Sequence, residues 1–253
     1  MGLESLRRSV WTKPPGSQVK CLDFKVRIND GPNFYIMYKD IFVHRIYDFT
    51  ASRPDPFILD CGSNIGMSIL YFKRRYPRSR IIGFEADPEV FPYLEGNVAG
   101  NGLRDVQLIP ALLAGREGTS NFLSDGRCGS HALAEDFDVA STGFTKHQVQ
   151  CHLLRDYLTE PVDFLKMNIE GSEWDVLEGS EDRLRQVREM VIEYHHLPGL
   201  PRTLHLILDL LHRQHFEYLI NDFDMESNPG ACPPFHLRPD SRYYLLVYAR
   251  RID

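Results

Sequence analysis

An acid, two glycines and a second acid on the next apolar run are the residues best placed to do chemistry in this sequence. The first group is Ile58-Leu59-Asp60-Cys61-Gly62-Ser63-Asn64-Ile65-Gly66, where an apolar run ends in a carboxylate and passes through two glycines into a helical pattern. Glycine reaches turn angles closed to other residues and lets a ligand come close to main chain. The second group, Glu85-Ala86-Asp87, closes the next apolar run. A carboxylate roughly 20 residues after such a turn can hold both hydroxyls of a nucleoside ribose. Asp60, Gly62, Ser63, Asn64, Gly66, Glu85, Ala86 and Asp87 are therefore expected to cradle a nucleoside, with Ala111 and Leu112 packed beside its base.

The spacing chooses among nucleosides. A dinucleotide turn uses G-x-G-x-x-G, so that helix amides face a pyrophosphate. Here Gly62 and Gly66 are separated by three residues and preceded by Asp60. A carboxylate at that point repels a pyrophosphate but suits an ammonium or a sulfonium. S-adenosylmethionine carries both cations and is the expected ligand, ahead of NAD.

A second acidic block, Asn168-Ile169-Glu170-Gly171-Ser172-Glu173, follows the apolar run Val162 to Met167. At the carboxyl end of a parallel strand it would face the ligand crevice. Asn168 is expected to hydrogen-bond the methionine end of the donor or an acceptor hydroxyl. Glu170 is expected to position the acceptor or take its proton. Glu173 and Asp175 read instead as acids of a first helical turn capped by Ser172. The run Val191 to Glu193 leads to Tyr194, His195 and His196 on the same edge. An imidazole titrates near neutral pH and suits a general base. Neighbours in extended chain point opposite ways, so one of the two histidines faces the crevice, and the pair does not share a metal. His205, Asp209 and His212 also share a helical face, but they lie opposite an apolar stripe and read as a solvated surface. Cys232-Pro233-Pro234-Phe235 reads as a loop. No metal site is expected.

These groups need a sheet edge on which to meet. Strand-length apolar runs at Phe57–Leu59, Arg80–Phe84, Val106–Ile109, Val162–Met167, Met190–Glu193, Phe216–Ile220 and Tyr243–Ala249 alternate with helical patterns at Met67–Arg75, Pro88–Asn97 and Thr203–Gln214. That alternation predicts an α/β fold, a mostly parallel sheet with helices on both faces. Residues 1–50 lack a clear period and are expected to form an N-terminal lead-in or lid, leaving 51–253 as the main domain. The stretch from Ser124 to Lys146, rich in Gly, Ser, Asp and Thr, is expected to be a binding loop or disordered.

Three blocks, Ile58 to Ser68, Ile82 to Pro88 and Val162 to Glu173, together resemble the FkbM family of class I S-adenosylmethionine-dependent methyltransferases. The resemblance runs from about residue 35 to the end. It implies a Rossmann-like fold with a seven-stranded sheet whose last strand is antiparallel. It also implies O-methylation of a hydroxyl on a small molecule such as a secondary metabolite, or on a sugar or glycan. Many relatives have Asp where this chain has Asn168. An N-methyltransferase, a non-catalytic donor-binding protein and a dehydrogenase are the other readings.

Composition narrows the partners. The 253 residues hold 29 Lys and Arg against 35 Asp and Glu, a net charge of -6 that disfavours a duplex nucleic-acid binder. No apolar run approaches the roughly 18 residues of a membrane span, and the amino-terminal residues lack a signal-peptide core. Cys21, Cys61, Cys128, Cys151 and Cys232 show no zinc or redox spacing and read as reduced thiols. A cytoplasmic enzyme with a small-molecule or glycan acceptor is expected, acting on neither nucleic acid nor membrane.

Overall fold

The computed structural model describes residues 2–127, 131–132, 143–197, 201–222 and 243–252. It begins with helix α1 (Leu3–Val10), a hairpin of β1 (Gln18–Cys21) and β2 (Phe24–Arg27), and helix α2 (Gly31–Tyr38), which continues as a π-helical turn at Lys39–His44. Asp30 caps α2, its carboxylate accepting the Asn33 amide at 2.7 Å. Next come β3 (Phe57–Cys61), α3 (Met67–Arg75), β4 (Arg80–Phe84), α4 (Phe91–Gly100) and β5 (Val106–Ile109). A smaller sheet follows, of β6 (Leu112–Leu113), β7 (Gly118–Ser124), β8 (His131–Ala132) and β9 (Thr145–His152). The main sheet resumes with β10 (Val162–Met167), α5 (Glu173–Glu178), β11 (Val187–His196), α6 (Leu204–Arg213), β12 (Phe216–Asp222) and β13 (Tyr243–Arg251).

The main sheet has seven strands in the order β12-β13-β11-β10-β3-β4-β5, and β13 runs antiparallel to both its neighbours. The order reverses between β3 and β10, which is where a doubly wound sheet opens a ligand crevice. Strand alternation sends Leu59 and Cys61 to a core shared with α5 and α6, and Ile58 to a core shared with α3, α4 and residues of the first fifty. Phe34, Ile28 and Val26 are each wholly buried in that second core. Two asparagines on and beside α4 fasten the hairpin. Asn97 accepts the Arg27 amide at 2.7 Å and donates to the Arg27 carbonyl at 3.0 Å. Asn101 does the same for Lys25, at 2.9 and 2.8 Å.

Most element boundaries shift by a few residues from the sequence reading, and three of the differences bear on the site. Helix α4 begins at Phe91 rather than Pro88, because the Asp87 carbonyl accepts the Val90 and Phe91 amides in a turn first. Strand β11 runs three residues beyond Glu193, since β13 pairs with it as far as His196 opposite Tyr243. Both histidines therefore lie on a strand. The stretch from Ser124 to Lys146 starts and ends in paired strand, with Ser124 opposite Thr145. Its residues 128–130 and 133–142 lie outside the described residues, as do Cys128 and the Cys232-Pro233-Pro234-Phe235 loop. His205, Asp209 and His212 are exposed on α6, and Asp209 pairs with Arg213 at 2.9 Å. Among the described residues no helix is long and apolar enough to cross a membrane.

Candidate active site

A cavity opens at the carboxyl ends of β3, β4 and β10. Gly62, Asn64, Phe84, Glu85, Ala86, Asp87, Ala111, Leu112, Leu113, Asn168 and Glu170 are among its lining residues. Its upper wall is apolar, with Ala111, Leu112 and Leu113 buried. Glu85 is the polar anchor. One carboxylate oxygen accepts the Asn64 amide at 2.7 Å and the other the Asp87 amide at 2.9 Å. Burial pushes this acid up to about 7 in spite of those bonds. Asp87 is held by the Ser124 hydroxyl, at 2.7 Å from its nearer oxygen, and caps the turn by accepting the Glu89 amide at 2.8 Å.

Asp60, Ser63 and Gly66 do not line this cavity. Asp60 is wholly buried behind the turn, its carboxylate 2.5 Å from the Ser68 hydroxyl and 3.2 Å from the Lys166 ammonium. Its charge is thus met inside the protein and, contrary to the sequence reading, is not what would repel a pyrophosphate at the ligand. Lys166 also donates to the Cys61 carbonyl at 3.3 Å and to the Gly62 carbonyl, so one ammonium ties the acid to the turn. Ser63 donates back to the Asp60 carbonyl at 3.1 Å. The glycines, too, serve the protein before any ligand. Gly62 has φ +86°, and a Cβ there would sit 1.8 Å from the Asn168 carbonyl oxygen on the neighbouring strand end. At Gly66, φ +91°, a Cβ would meet the Leu94 side chain at 2.9 Å.

A second cavity adjoins the first. Asn33, Met37, Asn168 and Glu170 line both. Beyond them it is walled by Ile36, Ile41, Ile46 and Tyr47 from the first fifty residues, and by Glu193, His195 and Tyr244 from β11 and β13. His195 is buried between two carboxylates, with Nδ1 3.0 Å from Glu173 and Nε2 3.7 Å from Glu170. Burial works against a charged imidazole, but Glu170 and Glu173 outweigh it and push His195 up to about 10. The imidazole is therefore charged at neutral pH, unlike a histidine near its ordinary value. Glu170 sits at φ +53° in the tight turn after β10, which brings its carboxylate round to that ring.

His196 is on the other face of β11. It is buried against Tyr243, lines neither cavity, and neither ring nitrogen has a partner among the described residues. Alternation along the strand puts Glu193 and His195 on one side and Tyr194 and His196 on the other. Glu173 is more than a first-turn acid: Ser172 makes no side-chain cap, while the Glu173 carboxylate accepts the Gly171 amide at 3.1 Å and holds His195.

Sequence reasoning also missed Tyr47 and Glu193. The Tyr47 hydroxyl donates to one oxygen of Glu193, and Asn168 Nδ2 donates to the other at 2.7 Å. Burial pushes Glu193 up to about 7. Glu193 could have been found from its position two residues before His195 on one strand. Nothing in the sequence pairs Tyr47 with a residue 146 positions away.

The first cavity fits S-adenosylmethionine. Glu85 offers a carboxylate for ribose hydroxyls beside an apolar slot for a base. At the junction Asn33 Nδ2 is a buried donor and Asn168 Oδ1 a buried acceptor, each without a partner among the described residues. A donor and an acceptor together match the carboxylate and ammonium of an amino-acid group.

Comparison with known proteins agrees with the geometry. The Methyltransferase FkbM domain matches residues 60–218. Methyltransferase 1 of Beauveria bassiana is 31% identical over 182 residues, covering 63% of this chain and 73% of that protein. The 2-O-methyltransferase NoeI of Sinorhizobium fredii is 27% identical over 187 residues, covering 67% and 76%. In fold the chain is similar to M. jannaschii TYW2, solved in complex with AdoMet, with a TM-score of 0.50 at 14% identity, over 96% of this chain and 89% of that one. The chain belongs to the FkbM family of S-adenosylmethionine-dependent methyltransferases.

Proposed function

We propose that this enzyme methylates a hydroxyl on a small molecule or on a sugar unit of a glycan. The observation that carries the reading is the pair of cavities meeting at Asn168 and Glu170, with His195 clamped between carboxylates on the acceptor side. Bound in the first cavity, S-adenosylmethionine supplies an electrophilic methyl group. Glu85 would hold the ribose hydroxyls, Asn33 would meet the amino-acid end, Ala111 and Leu112 would flank the base, and Asn168 would face the ammonium or the acceptor hydroxyl. Orienting the acceptor in line with that methyl group is the larger part of catalysis. The acceptor oxygen becomes strongly acidic as it gains the methyl group, so a weak base suffices. Glu170, 31% exposed on its side chain and facing both cavities, takes the proton, while the charged His195 and buried Glu173 fix its position.

Methylation of nitrogen fits less well. The acceptor cavity carries the Glu170 and Glu193 carboxylates, which hold an amine in its charged form without a lone pair. The name of NoeI as a 2-O-methyltransferase supports oxygen. The first fifty residues act as the acceptor-side lead-in to the domain formed by 51–253. A reducing, cytoplasmic setting goes with the same reading, consistent with Cys21, Cys61 and Cys151 being free and buried.

The test is a mass-spectrometric product assay against panels of hydroxyl and amine acceptors. Methyl ethers are expected, and N-methyl products alone would overturn the reading. His195→Ala and Glu170→Gln should each lower kcat by about 10²-fold with donor affinity retained. Normal turnover in both would remove proton transfer to this pair.

A further inference from the structure

We infer that Glu193, braced by Tyr47, is a positioning residue that turns the Asn168 amide into a one-way acceptor at the junction of the two cavities. The inference rests on the donor and acceptor assignment of those cavities for the identity of the ligand, but not for the pairing itself.

The backbone of Asn168 is fixed first. Its amide donates to the Cys61 carbonyl at 2.9 Å, and its own carbonyl packs against Gly62. Only the side-chain amide has freedom, and an amide can present either its oxygen or its nitrogen to a ligand. Glu193 removes that choice. Asn168 Nδ2 donates to it at 2.7 Å, and the ionised carboxylate, a form that burial opposes and that Lys166, His195 and the Tyr47 hydroxyl favour, only accepts. The Tyr47 hydroxyl occupies the other carboxylate oxygen and keeps Glu193 from swinging away. Glu193 is 5% exposed, and the Lys166 ammonium that helps it stay ionised stands over the Tyr47 ring, 5.5 Å from its centre. Asn168 Oδ1 is thereby directed away from Glu193. It is buried and has no partner among the described residues, on a residue that lines both cavities. A buried acceptor left in that state calls for a hydrogen-bond donor from a ligand, because an unmade bond there is costly.

The ligand group is therefore an N–H or O–H donor. Two sources supply one: the ammonium of the methyl donor and the hydroxyl of the acceptor. The arrangement also says what a carboxylate at position 168 requires. Asp there would face Glu193 at hydrogen-bond distance, two like charges in a buried site. Moving the amide to the other partner restores the match. With Glu193→Gln in place, the new amide donates to the new carboxylate and still accepts from Tyr47.

The experiment is a double-mutant cycle on the full chain: Asn168→Asp, Glu193→Gln and the pair together. The readouts are the melting temperature without ligand, the affinity for S-adenosylhomocysteine by calorimetry, and acceptor KM against kcat. Asn168→Asp should lower the melting temperature and weaken either S-adenosylhomocysteine or the acceptor by at least tenfold. Adding Glu193→Gln should recover most of both losses. A loss in S-adenosylhomocysteine affinity assigns Oδ1 to the ammonium, and a loss confined to acceptor KM assigns it to the hydroxyl. Tyr47→Phe, which keeps the ring, should give a smaller loss in the same readout. Additive penalties in the double variant, or an Asn168→Asp protein with unchanged melting and binding, would overturn the inference. If Asn168→Asp does not fold, folding of the double variant is the rescue and its failure is the refutation. The ligand-free melting temperature tests the pair even where the assignment of the cavities is wrong.

Discussion

The two cavities lie side by side, yet they are built in different ways. In the first cavity the polar anchor rests on main chain close in sequence, with Glu85 held by the amides of Asn64 and Asp87 beside the turn at Gly62. The acceptor side is made by side chains from distant segments, with Tyr47 reaching Glu193 and Glu173 reaching His195. A backbone turn tolerates few residue types, and its chemistry is repeated wherever the turn is repeated. A wall of side chains can be exchanged residue by residue without disturbing the turn. The half built on the turn is thus the stiffer one, and the half walled by side chains the more adjustable.

The sharpest way to break that contrast is at Gly62. A methyl group there meets a backbone carbonyl at 1.8 Å, and the residue sits at positive φ. Gly62→Ala should cost on the order of 4 kcal/mol or more, a sum of strain and overpacking. Denaturant unfolding would measure it. An alanine variant as stable as the parent would show that the turn is less rigid than drawn.

A smaller effect is expected at Glu85. Glu85→Ala should weaken S-adenosylmethionine by about 2–4 kcal/mol, since charged hydrogen bonds contribute about 1.5–3 kcal/mol each. Burial pushes Glu85 up to about 7. Ribose hydroxyls donate to the ionised form, so affinity should fall as pH drops through 7. By linkage, binding at pH 7 should release protons. Calorimetry in buffers of different ionisation enthalpy reads that release directly. A pH-independent affinity with no proton exchange would take Glu85 out of the ribose site.

The adjustable side should respond least. Glu173→Gln keeps the size of a side chain that supports His195 and accepts the Gly171 amide, so turnover should fall by roughly tenfold with donor affinity unchanged. His195 should also lose the stabilisation of its charged form, moving its titration down from about 10. Histidine ring resonances followed by NMR against pH would show the shift. An unmoved titration would mean that Glu170 alone sets the charge on His195.

What the sequence disclosed follows the same division. The main strands, the α3 span and the donor-lining residues were legible because hydrophobic period, glycine spacing and strand-end acids are local signals. Asp60 was misplaced for a physical reason: sequence shows a charge, but not the lysine that meets it one strand away. Asp87 was found, although its partner Ser124 lies 37 residues on. Alternation already put one of the two histidines at the crevice, but which one followed only from the register of a strand that runs through both. The β7–β9 pairing escaped because Gly, Ser and Asn in Gly118 to Ser124 blur the alternation, and the strand passes from exposed at Gly118 to buried at Phe122 to Ser124.

The asparagine clamps at α4 bear on the order of events in time. Residues 25 and 27 leave the ribosome 70 to 76 positions before their partners Asn101 and Asn97. At about 5–20 residues per second the hairpin waits several seconds for α4 to be made. A two-stranded hairpin is marginal by itself, and Val26, Ile28 and Phe34 have no core to enter until α3 and α4 exist. During synthesis the first fifty residues are therefore the part in need of protection. A chaperone that binds short apolar segments would be expected to meet this protein there, early and briefly, before the sheet closes over them.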